Sequence, residues 1–249
     1  MRTEQKEIRM KTVARLGARP EPHRPGVGAV LVSTWRVGTP ERQGAAVEAI
    51  RTTWERRAWP TPDLLSYSVL AGTDGETLLH YSQWTGEEAY EEFVRTFRDD
   101  RNAEIDAAVP GIERVELRRY GPVHRSTVHR TAGPGKEPGI VVVVEADFDA
   151  DGAAGQREEW VERVLAALAD DEATAARPAS GGISGNFHLS TDGGRVLNYA
   201  EWESERAHEE WLADAAPLSE AWRRVQHDPR LTGGRVRRYA PALGLSAGA

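Results

Sequence analysis

Two stretches of the chain decide its fold, and each is a copy of the other. The first is ETLLHYSQWTGEEAYEEF at 76–93 and the second is RVLNYAEWESERAHEEW at 195–211. Position 77 aligns with position 195, an offset of 118 residues that is constant along the match. Each copy has the pattern of a strand that ends in Trp and passes, after two residues, into an amphipathic helix. The offset far exceeds the roughly 20–50 residues of solenoid repeats, so we predict duplication of a whole folding unit.

The element order around the two copies is also the same. In the first half a strand at Ala29–Trp35 precedes a helix that Thr39 caps and Pro40 begins. A hairpin then turns at Asp74-Gly75, a pair that accommodates positive φ angles. The resulting order, β-α-β-β-α-β, predicts an α+β protein of two tandem ferredoxin-like domains. Because a lone sheet leaves a face and edges open, we expect the two to form an intramolecular dimeric α+β barrel.

Changes in composition mark the domain boundaries. We predict a flexible leader over 1–25, a first domain over 26–121, a linker over 122–138, a second domain over 139–241 and a tail over 242–249. The first 24 residues hold seven Lys or Arg against three Glu, so a regulatory or binding arm is the alternative for the leader.

The composition also excludes classes of function. No cysteine is present, which excludes disulfides, thiolate metal sites and cysteine nucleophiles. The net charge of −7 argues against a broad nucleic-acid-binding face. No apolar run approaches the roughly 18 residues of a membrane helix, and no apolar segment follows the start. We therefore expect a cytoplasmic protein with neither a nucleic acid nor a membrane as partner.

The hairpin turn sorts the strand residues by face. Around Asp74-Gly75, Val69 should lie opposite His80 and Tyr67 opposite Ser82. One face of each hairpin, together with the facing stripe of the next helix, should form an inward layer. In the first domain this layer would contain Leu65, Tyr67, Val69, His80, Ser82, Trp84, Tyr90 and Phe93, and in the second Ile183, Gly185, Phe187, Asn198, Ala200, Trp202, His208 and Trp211.

The second layer differs from the first by two large-to-small changes. Gly185 and Ala200 stand where the first domain has Tyr67 and Ser82, and protein interiors tolerate few voids. We therefore predict a pocket in the second domain, of the mostly apolar kind that suits a planar aromatic ligand. The alternative is that the polar groups of each layer satisfy one another as ordinary core residues. The predicted walls are Phe187, Trp202 and Trp211, and the predicted polar contacts are Asn198 and His208.

At these residues the chain resembles the antibiotic biosynthesis monooxygenases, small dimeric α+β-barrel proteins. The resemblance covers about 28–120 and again 139–239. Well-understood members oxidise polyketide phenols with O2, without metal or flavin, at a site with an Asn, a Trp four residues later and a Tyr six beyond the Trp. The second domain has Asn198 and Trp202 with His208 at the Tyr position. The first has Trp84 and Tyr90 with His80 at the Asn position.

The resemblance implies a monooxygenase that oxidises an aromatic, polyketide-like phenol or anthrone in secondary metabolism. Asn198 would donate a hydrogen bond to the substrate oxygen, Trp202 would supply its N–H and a stacking face, and His208 would be a general base. His80, Trp84 and Tyr90 would form the analogous set in the first domain. The substrate-binding candidates are Tyr67, Ser82, Phe93, Phe187 and Trp211.

The expected co-substrate is O2, with neither a metal nor a tightly bound cofactor. The alternative is reduced FMN delivered by a separate flavin reductase, and a homodimer would be a further partner. Two other functions stay open for the same fold, a non-oxidative cyclase or isomerase and a ligand-binding or structural protein.

Three signals carry no function in this sequence. The acidic run from Asp147 to Glu158 fits a calcium loop, but a strand rather than a helix precedes it, so we predict an acidic turn. Haem-degrading relatives carry a His ten residues past the Trp, where this chain has Val94 and Leu212. His124 and His129 fall in the linker, and we expect both to be exposed.

Overall fold

The computed structural model describes residues 10–129, 136–174, 181–213 and 219–248. The chain divides into two compact units. Within the described residues, the first unit contains 10–71, 75–117 and 242–248, and the second contains 72–74 together with the described part of 118–241. Among the helices of these residues, none combines the length and the apolar character needed to span a membrane.

The first unit is built on the first copy of the repeated sequence. Its sheet has the order β5-β2-β4-β3, and a single π-helical turn at Val94–Arg98 joins α2 to α3. The elements in chain order are β1 (Thr12–Leu16), β2 (Ala29–Arg36), α1 (Pro40–Glu55), β3 (Leu64–Gly72), β4 (Thr77–Trp84), α2 (Glu87–Phe93), α3 (Asp99–Ala108) and β5 (Glu113–Tyr120).

Local signals place these elements as the sequence predicts. Thr39 caps α1, because its side chain accepts a hydrogen bond from the Arg42 backbone N–H at 3.3 Å. Gly75 closes the hairpin between β3 and β4 with a φ of 73°. In the resulting register Val69 pairs with His80 and Tyr67 with Ser82, which confirms the predicted alignment.

The second unit is built on the second copy. Its strand order is β10-β7-β9-β8-β6. The elements in chain order are β6 (Arg125–Val128), β7 (Ile140–Phe148), α4 (Gln156–Thr174), β8 (Gly182–Leu189), β9 (Arg195–Trp202), α5 (Glu205–Ala213), α6 (Glu220–Gln226) and β10 (Leu231–Ala247).

The two units share one sheet topology. If the four repeat strands of each are numbered along the chain, their order in the sheet is fourth, first, third, second. This order, with helices in the two crossovers, is the ferredoxin-like arrangement, so the predicted α+β class is confirmed. The closed barrel stays a prediction.

The predictions for the leader and the tail are wrong where strands form. Within the leader, β1 pairs antiparallel with Leu243–Ala247 of the supposed tail, and Leu243 and Leu245 are buried in the core of the first unit. Residues 1–9 lie outside the described residues. The sequence hides this pair because its stability comes from backbone hydrogen bonds between segments that are distant in the chain.

The linker prediction is wrong at Arg125–Val128. These residues form β6, an edge strand in which Thr127 pairs with Gly185 of β8. A four-residue polar strand has no alternation that local pattern analysis can detect. Residues 130–135 of the linker lie outside the described residues.

In each unit a β-bulge makes the prediction wrong for the first residue of the inward layer. Between Leu64 and Ser66 the register shifts by one, so Leu64 rather than Leu65 pairs with Trp84 and is buried. A matching shift between Gly182 and Ser184 removes Ile183 from the layer of the second unit. An extra residue in one strand re-aims the side chains beyond it, which the strict alternation of the prediction did not allow for.

The cores of the two units are divided differently. In the first, one continuous cluster runs from Trp54 through Trp84 to Phe93. In the described part of the second, the corresponding layer contains two separate clusters, one around Phe187 and another around Trp202.

Candidate functional site

The first unit contains a cavity of about 510 Å³ between its sheet and helices. All six predicted site residues of this unit line it, so the sequence placed them in one layer correctly. They are Tyr67, His80, Ser82, Trp84, Tyr90 and Phe93.

The polar groups of this cavity are largely satisfied by one another. The Tyr67 hydroxyl lies 2.6 Å from His80 Nδ1, and the Trp84 indole N–H donates to Ser82 Oγ at 2.9 Å. Ser82 Oγ in turn donates to the Leu31 carbonyl at 3.5 Å. The Trp84 N–H is therefore already occupied by a protein acceptor.

Burial keeps the Tyr67–His80 pair neutral. Burial, followed by the charge of the Arg114 guanidinium, lowers the pKa of His80 to about 3. Burial also raises the pKa of Tyr67 well above its usual value, against a small opposing effect of Arg114. His80 Nε2 is buried without a hydrogen-bond partner.

The second unit contains a larger cavity, of about 790 Å³, in the corresponding layer. Its walls are mostly apolar, and it lies between the two hydrophobic clusters of that unit. All five predicted pocket residues of this unit line it, namely Phe187, Asn198, Trp202, His208 and Trp211.

Gly185 and Ala200 leave this cavity open. They pair across the hairpin as Tyr67 and Ser82 do in the first unit, but neither has a polar side chain. The Asn198 Oδ1 accepts from the Asn186 backbone N–H at 3.1 Å. Within the described part of the chain, no protein group accepts a hydrogen bond from Asn198 Nδ2 or from the Trp202 indole N–H.

His208 is fixed in one tautomer by a neighbouring cation. Arg238 Nε, which can only donate, lies 3.0 Å from His208 Nδ1, so Nδ1 is the acceptor and the ring proton of the neutral imidazole is on Nε2. Burial, followed by the charge of Arg238, lowers the pKa of His208 to about 4, while Glu205 opposes this shift. At neutral pH His208 is therefore a hydrogen-bond donor at Nε2, with Trp202 4.8 Å away between ring centroids.

Sequence reasoning missed part of the second cavity. Thr127 and His129 line it from β6 and the residue that follows, and Trp160 and Trp222 line it from α4 and α6. His129 is buried, which corrects the expectation that it is exposed. The apolar periodicity of α4 could have indicated Trp160, whereas β6 gave no signal.

The acidic run that begins near the end of β7 has a structural partner. Asp147 accepts a hydrogen bond from Arg195 Nε at 2.5 Å, and Arg195 also pairs with Glu145 at 2.8 Å. Nowhere in the described residues do three His, Cys, Asp or Glu side chains form a group suited to hold a metal ion.

The chain is similar to a solved structure described as an anthrone oxidase-like protein, with a TM-score of 0.68 and 17% identity over 95% of this chain and 98% of that one. The likeness lies in the fold. A provisionally named monooxygenase from Fusobacterium nucleatum gives a TM-score of 0.53 at 8% identity over 91% and 98% of the two chains. A mutant chlorite dismutase from Candidatus Nitrospira defluvii gives 0.52 at 12% identity over 88% and 93%. No protein-family model and no curated protein matches the sequence.

Proposed function

We propose that the protein is a monooxygenase that oxidises a fused aromatic phenol or anthrone with O2, and that its working site is the cavity of the second unit. One observation carries the proposal: a mostly apolar cavity lined by three hydrogen-bond donors, Asn198, Trp202 and His208, that lack a protein acceptor among the described residues. Donors without acceptors in an apolar site stabilise an anionic oxygen on a bound ligand.

The spacing of the donors favours a fused ring system over a single ring. Asn198 and Trp202 are on the same face of β9, four residues apart, so their Cα atoms are separated by about 13 Å at the usual strand rise. A ligand that reaches both side chains must extend along the strand. The aromatic walls, Phe187 and Trp211, suit a flat molecule of that length.

The chemistry needs no electron donor besides the substrate. Loss of a proton to water converts the phenol or enol to its anion, which the three donors stabilise and which can pass an electron to O2. When a methylene carbon of the substrate becomes a carbonyl, that carbon loses four electrons and O2 gains four. One oxygen atom becomes the carbonyl oxygen, and the other leaves as water with the two methylene hydrogens.

The geometry favours a different role for His208 from the general base predicted from the sequence. With Nδ1 accepting from Arg238, the ring has no free lone pair for a substrate proton. We therefore assign His208 to hydrogen-bond donation to the substrate oxygen, and the adjacent positive charge of Arg238 makes its Nε2–H a stronger donor.

Oxygen uptake with anthrone tests the proposal. We expect consumption by the purified protein alone, above that of a protein-free control, and added reduced FMN should increase uptake only by the amount that its own oxidation by O2 consumes without the protein. Uptake only with reduced FMN would instead support the flavin-dependent alternative and a reductase partner. Binding of anthrone without uptake under either condition would support a ligand-binding protein and contradict the proposal.

A matched pair of variants assigns the reaction to one unit. Ala200→Ser places a hydroxyl where Ser82 accepts from Trp84, so it should occupy the Trp202 N–H and lower kcat about tenfold, consistent with the loss of one weakly held donor. Ser82→Ala is the control and should leave kcat unchanged. The opposite result would move the working site to the first unit.

A further inference from the structure

A cationic side chain is buried without an anionic partner in the wall of the first cavity. Arg101 of α3 is only 4% exposed. Its guanidinium donates to the backbone carbonyls of Phe97 at 3.2 Å and Ala58 at 3.1 Å, while its Nε is buried with no hydrogen-bond partner. In the part of the chain that the structure describes, no carboxylate forms an ion pair with it.

Arg101 stays charged at neutral pH despite this environment. Burial, followed by the charge of Arg57, lowers its pKa to about 10, while the charges of Glu104 and Asp100 oppose the shift. Removing an ion from water is strongly unfavourable unless an opposite charge compensates. Cation–π contacts with Trp54 at 4.8 Å, Phe97 at 5.8 Å and Phe93 at 5.9 Å offset only part of such a cost, because none of them supplies a full negative charge.

The rest of this cavity combines aromatic rings with two further arginines. Trp35 and Trp54 are two of its walls, and the Arg114 guanidinium lies 4.6 Å from the Trp35 ring centroid. Arg98 also lines the cavity, but Arg98 and Arg114 have carboxylate partners, Asp99 at 3.2 Å and Asp106 at 2.7 Å, so Arg101 is the arginine of this lining whose charge is uncompensated among the described residues. The carboxylate in the lining, Glu116, is already engaged in an interaction of its own.

Among the described residues that line it, the cavity of the second unit has no charge equivalent to that of Arg101. Its charged lining residues are Glu145 and Arg235, which are hydrogen-bonded to each other and so compensate one another. The two cavities therefore differ in charge as well as in size.

We propose that the cavity of the first unit is a second ligand site that binds flat aromatic carboxylates, with the ring between the tryptophans and the carboxylate held by Arg101. A carboxylate supplies the anion that Arg101 lacks, and a guanidinium can bind its two oxygens at once. This site differs from the proposed oxidation site in both position and ligand class.

Calorimetric titration with 2-naphthoate and with its uncharged analogue 2-naphthamide tests the proposal on the full chain. We expect the unmodified protein to bind 2-naphthoate at least tenfold more tightly. Arg101→Met keeps the length and the apolar contacts of the side chain, and it should bring the two affinities within about twofold of each other. Equal affinities in the unmodified protein, or no saturable binding of 2-naphthoate at millimolar concentration, would overturn the proposal.

Two further variants separate this site from the other cavity and from a folding defect. Asn198→Ala, in the second unit, should leave the naphthoate-to-naphthamide ratio unchanged. If it abolishes the preference while Arg101→Met does not, the carboxylate binds in the second unit and the proposal is wrong. The Arg114 side chain is partly exposed, so the Arg114→Gln variant should fold normally, and it should bind 2-naphthoate about threefold more weakly. Unchanged binding in this variant, should Arg101→Met not fold, would also overturn the proposal.

Discussion

Each unit has a Trp at the end of the corresponding strand, but the indole N–H of that Trp is hydrogen-bonded differently in the two units. In the first, Ser82 accepts the Trp84 N–H and Tyr67 holds His80. In the second unit, Ala200 and Gly185 replace Ser82 and Tyr67, and no described protein group accepts a hydrogen bond from the Trp202 N–H. Two large-to-small changes on a shared fold therefore accompany the change from a self-satisfied polar layer to a larger cavity with available donors.

The largest difference between the units should be in stability at the start of the second hairpin strand. Arg195 is nearly buried between Glu145 and Asp147, so Arg195→Met should lower the free energy of unfolding by about 3 kcal/mol, because Asp147 loses its partner while Glu145 keeps only Arg235. Arg36, which pairs with exposed Glu113, is the matched site, and Arg36→Met should cost at most about 1 kcal/mol. Urea unfolding of both variants measures the difference. Equal losses would show that the buried cluster contributes no more than a surface pair.

Turnover should separate the units next. Asn198→Ala removes a donor from the proposed oxidation site and should lower kcat for anthrone about 100-fold. His80→Ala, at the matched position of the first unit, should lower it by less than about threefold. Oxygen-electrode assays at saturating substrate give both values. Similar losses in the two variants would mean that both cavities catalyse the reaction.

A pH effect on stability should arise in the first unit. Because the pKa of His80 falls to about 3 in the folded state, below the usual value of about 6.5, the unfolded chain takes up a proton at higher pH than the folded one. Above about pH 6.5 the neutral His80 costs the folded state no stability, and the free energy of unfolding falls as the pH is lowered from there towards 3. This decrease amounts to about 2 kcal/mol of lost stability at pH 5, from the one and a half pH units below 6.5.

Comparison with a non-titrating variant isolates this contribution. His80→Asn carries the residue that the second unit has at this position, and the carboxylates remain in both proteins. Urea unfolding at pH 7 and pH 5 should therefore show a loss smaller by about 2 kcal/mol in the variant. An identical acid dependence would contradict the buried neutral state of His80.

The smallest effect should come from Gly185. A Cβ added there would lie 3.2 Å from Asn198 Oδ1 and 3.4 Å from Thr127 Cγ2, so Asn198 must shift by a few tenths of an ångström. Gly185→Ala should lower kcat/KM about threefold while the unfolding midpoint stays within about 2 °C, because the gain in backbone entropy offsets the tight contact. Ser184→Ala, on the neighbouring residue of the same strand, is the control and should leave kcat/KM unchanged.

The repeated sequence predicted what local and repeated patterns determine. It gave the element order, the register of Tyr67 with Ser82 and the gathering of the predicted side chains along two cavities, since turn chemistry and strand alternation fix these features. It could not predict β1 or β6, whose stability comes from backbone pairing with distant strands. It also could not predict the tautomer of His208, which depends on Arg238 thirty residues away.

The position of β10 at the end of the chain affects how the protein folds during translation. Leu243 and Leu245 complete the core of the first unit, although they are synthesised after the whole of the second. During translation the core of the first unit therefore stays incomplete until the second unit has been synthesised. The apolar surface exposed in the meantime can bind chaperones or aggregate. If the gene were divided between the two repeats, the chain encoded by its first part would lack Leu243 and Leu245 and so part of its own core.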